Sequence, residues 1–127
     1  MSIAFWAVLV AAMLPYLATG LAKSGLSTSG GYDNRAPREW AGTLTGWRQR
    51  ADWAQRNHFE AFPMFAAAVI IATLAHAPQG QIDALAGAFV VLRVAYTAAY
   101  IADLALARSF VWFLGLICGI ALFCIGI

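Results

Sequence analysis

From Phe110 to Ile127 the chain carries no charged side chain, and it contains three further long apolar stretches, the first starting at Ile3. A stretch of about 20 mostly apolar residues is long enough to cross a bilayer, and lipid offers the backbone no hydrogen-bond partner, so each must be a helix. The pattern predicts helices over about residues 3–23, 47–76, 82–106 and 109–127, with a polar connection at about 24–46. The other two connections are short: "HAPQGQID" at His76 to Asp83 and "ALARS" at Ala105 to Ser109. Short connections make antiparallel neighbours, so the expected fold is all-α, an integral membrane four-helix up-down bundle forming a single domain over 1–127.

Composition agrees with lipid as the main solvent. Hydrophobic residues make up 62% and charged residues 11%, against roughly half and a quarter in soluble domains. The first apolar run has no basic residue ahead of it and no clean small-residue cleavage site after it, so a retained helix is expected rather than a signal peptide. The net charge of +2 is concentrated between Lys23 and Glu60 rather than spread over a face, which excludes the broad positive footprint of a nucleic-acid binder. Cys118 and Cys124, if helical, lie ~9 Å apart along the axis, too far for a disulfide. His58 and His76 stand near opposite ends of one helix and cannot share a metal, so no metal site is expected.

Lys and Arg set the expected orientation. Lys23, Arg35, Arg38, Arg48, Arg50 and Arg56 belong to the first connection and the mouth of the second helix, Arg108 to the third connection, and the second connection has neither residue type. The positive-inside rule places the long loop in the cytoplasm and both chain ends in the periplasm. Taken singly, Arg35, Arg38 and Arg48 read as topology determinants rather than ligand contacts.

Arg93 is the residue least at home in lipid, about eleven residues inside the third span. Burying it at that depth costs at least ~2.5 kcal/mol unless it finds a partner in the bundle interior or a wet cavity. At helical spacing Arg93, Tyr96, Tyr100 and Asp103 share one face, and Arg50, Trp53, Asn57, Glu60 and Met64 share a face of the second helix. Glu60 and Tyr100 lie at similar depth, ~24 and ~27 Å from the opposite helix ends. The expectation is an ion pair between Glu60 and Arg93, with Asn57 and Tyr100 completing the hydrogen bonds. Asp103 is expected to cap or to pair with Arg108. Gly115 and Gly119 form a GxxxG pattern that suits close helix packing.

Four spans, a long first loop, "RxxxxxxNxxE" opening the second helix from Arg50 and "RxxYxxxY" from Arg93 together resemble the membrane-associated proteins in eicosanoid and glutathione metabolism, the MAPEG family. The resemblance covers the whole chain and is strongest to small bacterial members, which share a stretch like "YDNRAPREW", Tyr32 to Trp40. It implies a homotrimer in the inner membrane, with glutathione as co-substrate between neighbouring protomers and a lipophilic small molecule entering from the lipid. Gln55, Asn57, Glu60, Arg93, Tyr96 and Tyr100 match the glutathione-contacting positions. Catalytic relatives carry an arginine where this chain has Trp53. Several also place a thiolate-stabilising arginine seven residues after the second tyrosine, where this chain has Ala107, followed by Arg108. Arg108 takes that catalytic role only if the third helix has ended before it. The resemblance thus implies a glutathione-dependent transferase or peroxidase, with a non-enzymatic trimer that binds lipid or a partner protein as the alternative. A small transporter fits less well, since no broken helix pair or inverted repeat is visible.

Overall fold

The computed structural model describes residues 1–24 and 31–127; part of the predicted polar connection, residues 25–30, lies outside the described residues. Five helices follow one another: α1 (Ile3–Lys23), α2 (Pro37–Gly42), α3 (Gly46–Leu74), α4 (Gln79–Ile101) and α5 (Ala105–Ile125), with no strand among the described residues. All but α2 are long and apolar enough to cross a membrane. The short α2 was not expected; Pro37 at its first position presets the helical φ and Glu39 meets the positive end of the helix dipole.

α3 and α4 form the centre of the bundle. α1 packs on both from one side and α5 on both from the other, and α1 and α5 do not meet. The α1 interface is a stripe of small residues, Ala4, Ala7, Ala11, Ala18 and Ala22, all buried. Small side chains let helix backbones approach, which is how helices associate where lipid removes the hydrophobic drive. Larger groups fill the middle: Phe65 of α3 stacks on Phe89 of α4 with ring centroids 3.9 Å apart. Gly119 of α5 sits close to α3: a Cβ there would lie 2.6 Å from the Met64 methyl, the free end of a side chain that would have to swing aside. At most 33% of the apolar window of any span is buried, so most of each span is left to lipid or to neighbouring chains.

The ends of the spans are closed by named groups. The first turn of α1 is capped twice, by Ser2 Oγ accepting from the Phe5 amide at 3.3 Å and by Asp83 Oδ1 of α4 accepting from the Ala4 amide at 2.8 Å. At the other end of the bundle, two arginines in the first turns of α3 satisfy the last carbonyls of its neighbours. Arg48 Nε donates to Ala22 O of α1 at 2.9 Å, and Arg50 donates through Nε and Nη2 to Ile101 O of α4 at 3.1 and 3.0 Å. Cations at helix C-termini also oppose the helix dipole.

Both short connections are tighter and placed earlier than the sequence pattern predicts. α4 starts at Gln79 rather than 82, since Pro78 takes the N-cap, and it ends at Ile101 rather than 106. The segment "ALARS" is therefore not a connection but the start of α5. The reason is one backbone motif used twice. His76 and Asp103 adopt the left-handed conformation, with φ of 58° and 61°. The next amide then reaches back to close the helix: Ala77 N to Ala72 O at 3.0 Å, and Leu104 N to Ala99 O at 2.9 Å. This is the helix stop usually made by glycine. Asp103 thus ends α4 through its backbone, and its carboxylate makes no ion pair with Arg108 among the described residues. Because a side chain disfavours this conformation, Asp103→Gly is expected to stabilise the protein by ~0.5 to 1 kcal/mol, read as a higher unfolding midpoint in detergent. An unchanged or lower midpoint would show that the Asp103 side chain contributes more than its backbone strain removes.

Candidate functional site

Arg93 is 3% exposed, and its guanidinium is held between α3 and α4 by neutral groups rather than by a carboxylate. Nη2 donates to Asn57 Oδ1 at 2.8 Å, while Nε and Nη2 approach His58 Nδ1 at 3.3 and 3.1 Å. The cation also lies 4.3 Å from the Tyr96 ring centroid, against its electron-rich face. His58 Nε2 meets Thr97 Oγ1 at 2.7 Å, and the Thr97 hydroxyl donates to the Arg93 carbonyl at 3.0 Å. That hydroxyl proton is committed, so His58 must donate from Nε2 and accept at Nδ1. The imidazole is neutral by its partners.

The expected Glu60 to Arg93 ion pair is therefore corrected. Glu60 is exposed, and its Oε2 accepts from Asn57 Nδ2 at 3.4 Å, so it reaches Arg93 only through the Asn57 amide. The physical reason is rotation: at 100° per residue, Asn57 and His58 straddle the line toward α4 while Glu60 swings toward α5. Tyr100 makes no hydrogen bond to Arg93 either; its ring packs against Trp53 and Tyr96, at 6.3 and 5.5 Å between centroids. Every buried side-chain nitrogen and oxygen among the described residues has a partner.

Toward the long loop the network opens into a cavity of about 420 Å³ lined by Asn57, Tyr96, Tyr100, Arg108, Ser109 and Trp112. Arg108 enters because the Asp103 turn ends α4 and restarts the chain as α5. Its guanidinium lies 4.5 Å from the Tyr100 ring centroid. A smaller cavity of about 160 Å³ adjoins this one, sharing Asn57 and Trp112 and adding Glu60 and Arg93. The structure thus brings six of the seven sequence-predicted residues to the linings of two neighbouring spaces that share Asn57 and Trp112. Gln55, the seventh, does not join them. It lines a separate cavity of about 580 Å³ between α1, α2 and α3, with Lys23, Arg38 and Arg56.

Trp53, in the place of an arginine, is exposed and packs its ring against Tyr100. Neither nearby arginine replaces it: Arg50 is held by the α4 carbonyl, and Arg56 pairs with Asp52 at 3.2 Å on the other side of the helix. His58, Thr97 and Trp112 are the members that sequence reasoning missed. His58 continues the buried small-residue face of Ala51 and Ala54, and Thr97 lies one turn beyond Arg93. A polar ring on the packed face of one helix, opposite an arginine with a hydroxyl one turn on, was the available signal.

If neutral acceptors hold Arg93, His58→Phe should cost ~2 to 3 kcal/mol by stranding buried guanidinium donors. Glu60→Gln should cost less than ~1 kcal/mol. Reversible unfolding in detergent measures both, and a larger loss for Glu60→Gln would restore the direct ion pair.

A model of the MAPEG family matches residues 3–127, which takes in every helix and every group lining both neighbouring cavities. No curated protein and no solved structure matches the chain. The four spans, the Asn57 and Glu60 face of α3 and the Arg93, Tyr96 and Tyr100 face of α4 lie within that match, and the chain belongs to the MAPEG family.

Proposed function

We propose that this membrane protein is a glutathione-dependent transferase or peroxidase that acts on lipophilic electrophiles. The observation that carries this reading is the position of Arg108, over Tyr100 and beside Asn57 and Tyr96 in one cavity. Glutathione offers two carboxylates, an ammonium and a thiol. Arg108, the tyrosine hydroxyls and Asn57 supply donors, and Glu60 supplies an acceptor with a single hydrogen bond of its own.

The chemistry asks for a thiolate. A free thiol has a pKa near 8.5, and each unit by which a neighbouring cation lowers it is worth ~1.4 kcal/mol. Arg108 is the cation of this cavity that no carboxylate neutralises among the described residues. The thiolate sulfur then attacks an electrophilic carbon, or a peroxide oxygen, presented from the lipid side.

The same reading includes a homotrimer with the long loop in the cytoplasm and both ends in the periplasm. The apolar outer faces of α1 and α5 favour contact with lipid and with neighbouring chains. Gln55 and the basic cavity around it face away from the Arg108 cavity, which suits a ligand held between two protomers, one contributing each face. Trp53 favours the second reading, a non-enzymatic trimer that binds lipid or a partner, because it removes one cation that catalytic relatives use.

Purified protein in detergent separates the two. The enzyme reading predicts that glutathione raises the unfolding temperature and that a generic electrophile is conjugated, with Arg108→Ala lowering kcat/KM by ~10²-fold, the usual effect of removing one charge-stabilising group. Neither stabilisation nor turnover would leave the binding trimer. Turnover that Arg108→Ala does not change would remove Arg108 from the chemistry.

A further inference from the structure

Two polar side chains between α3 and α4, His58 and Thr97, line neither of the two neighbouring cavities, yet both bond to Arg93. The imidazole grips that arginine at two points. Its Nδ1 accepts from Nε and Nη2 of the guanidinium at 3.3 and 3.1 Å. Its Nε2 reaches the Arg93 main-chain carbonyl through the Thr97 hydroxyl, in steps of 2.7 and 3.0 Å. Side chain and backbone of one residue are thus tied to one ring, which fixes the rotamer of the arginine. No water can take the place of that ring, because the space bounded by His58, Arg93 and Ala11 and Leu14 of α1 is too small to hold one.

Glu60 is the group that an unrestrained Arg93 would take. Both line the cavity of about 160 Å³, with Asn57 beside them, and opposite charges in a space of low dielectric attract strongly. Held by His58, the guanidinium instead gives its remaining Nη2 proton to Asn57 Oδ1 at 2.8 Å. The Asn57 amide is thereby oriented, and its Nδ2 donates to Glu60 Oε2 at 3.4 Å. Glu60 Oε1 keeps no protein partner among the described residues. The carboxylate is therefore steered by the buried relay without being consumed by it.

We propose that His58 and Thr97 are positioning residues for the thiol site: by clamping Arg93 they keep it off Glu60, and so leave that carboxylate open to the ammonium group of glutathione. The inference rests on the thiol-transfer reading for its ligand, and it adds to that reading two residues that bond to no substrate. A released Arg93 would turn to Glu60, neutralise it and free the Asn57 amide. Binding of the amino end of the thiol would then weaken, while Arg108, which stands over Tyr100 on another helix, would keep its place.

The test compares glutathione with glutaryl-cysteinyl-glycine, the same thiol without its amino group, by calorimetry in detergent and by turnover with trans-2-nonenal. Wild-type protein should prefer glutathione by about tenfold or more, the worth of one hydrogen bond to a charged group. His58→Phe should abolish that preference by weakening glutathione alone, raising its KM with kcat unchanged, the mark of lost uniform binding. His58→Gln, which keeps one acceptor and one donor, should restore most of it. Thr97→Val, which removes only the hydroxyl that braces the ring, should act in the same direction as His58→Phe and serves if that variant does not fold. A ligand-free measurement reads the released arginine: Glu60→Gln should lower the unfolding midpoint by several degrees more in the His58→Phe background than in the wild type, because only there does it break an ion pair. That midpoint pattern in a protein that binds neither thiol would keep the clamp and remove the thiol reading. Equal wild-type affinity for the two thiols, equal weakening of both in the variants, or the same Glu60→Gln shift in both backgrounds would overturn the proposal.

Discussion

The burial of Arg93 is the constraint around which the rest of the bundle is arranged. A guanidinium inside a span has to have its donors met and its charge compensated, and lipid does neither. Here the donors go to Asn57 and His58 on the facing helix, the charge lies against the face of Tyr96, and Glu60 is one amide removed. Holding the cation with neutral acceptors has a consequence for function. A carboxylate bonded directly to Arg93 would be occupied; at one remove, Glu60 keeps acceptor capacity toward the cavities.

A second set of interactions sets where the helices stop, and so where Arg108 stands. Arg50 at the start of α3 closes the end of α4 through Ile101 O, two residues before Asp103 turns the chain. Had α4 continued straight, Arg108 would have extended away from the bundle by ~1.5 Å per residue. Stopping α4 early folds α5 back so that Arg108 covers Tyr100. The arginines at the mouth of α3 thus act on helix ends, and Arg108 is the one they leave for the cavity.

Much of this was legible in the sequence, for reasons that differ by residue. The spans follow from apolar length alone, and the two polar stripes follow from helical spacing, which is why Asn57, Tyr96 and Tyr100 were found together. The partner of Arg93 was not legible. Glu60 carries the complementary charge, but at 100° per residue it stands ~60° from Asn57 and ~160° from His58, and that rotation gives Arg93 to Asn57 and His58. The end of α4 was hidden because "ADLALA" holds no glycine or proline, and the left-handed stop at Asp103 is made by a residue that tolerates that conformation without announcing it. Gln55 shows the limit in the other direction: two residues from Asn57, it belongs to the opposite face.

The most direct test of the central claim is a double-mutant cycle between Arg93 and His58, using Arg93→Met, His58→Phe and the pair, with unfolding free energies measured in one detergent. The account predicts a coupling of ~1.5 kcal/mol or more, in the range found for buried groups that share hydrogen bonds. A coupling near zero, with the corresponding cycle between Arg93 and Glu60 carrying the interaction, would contradict it.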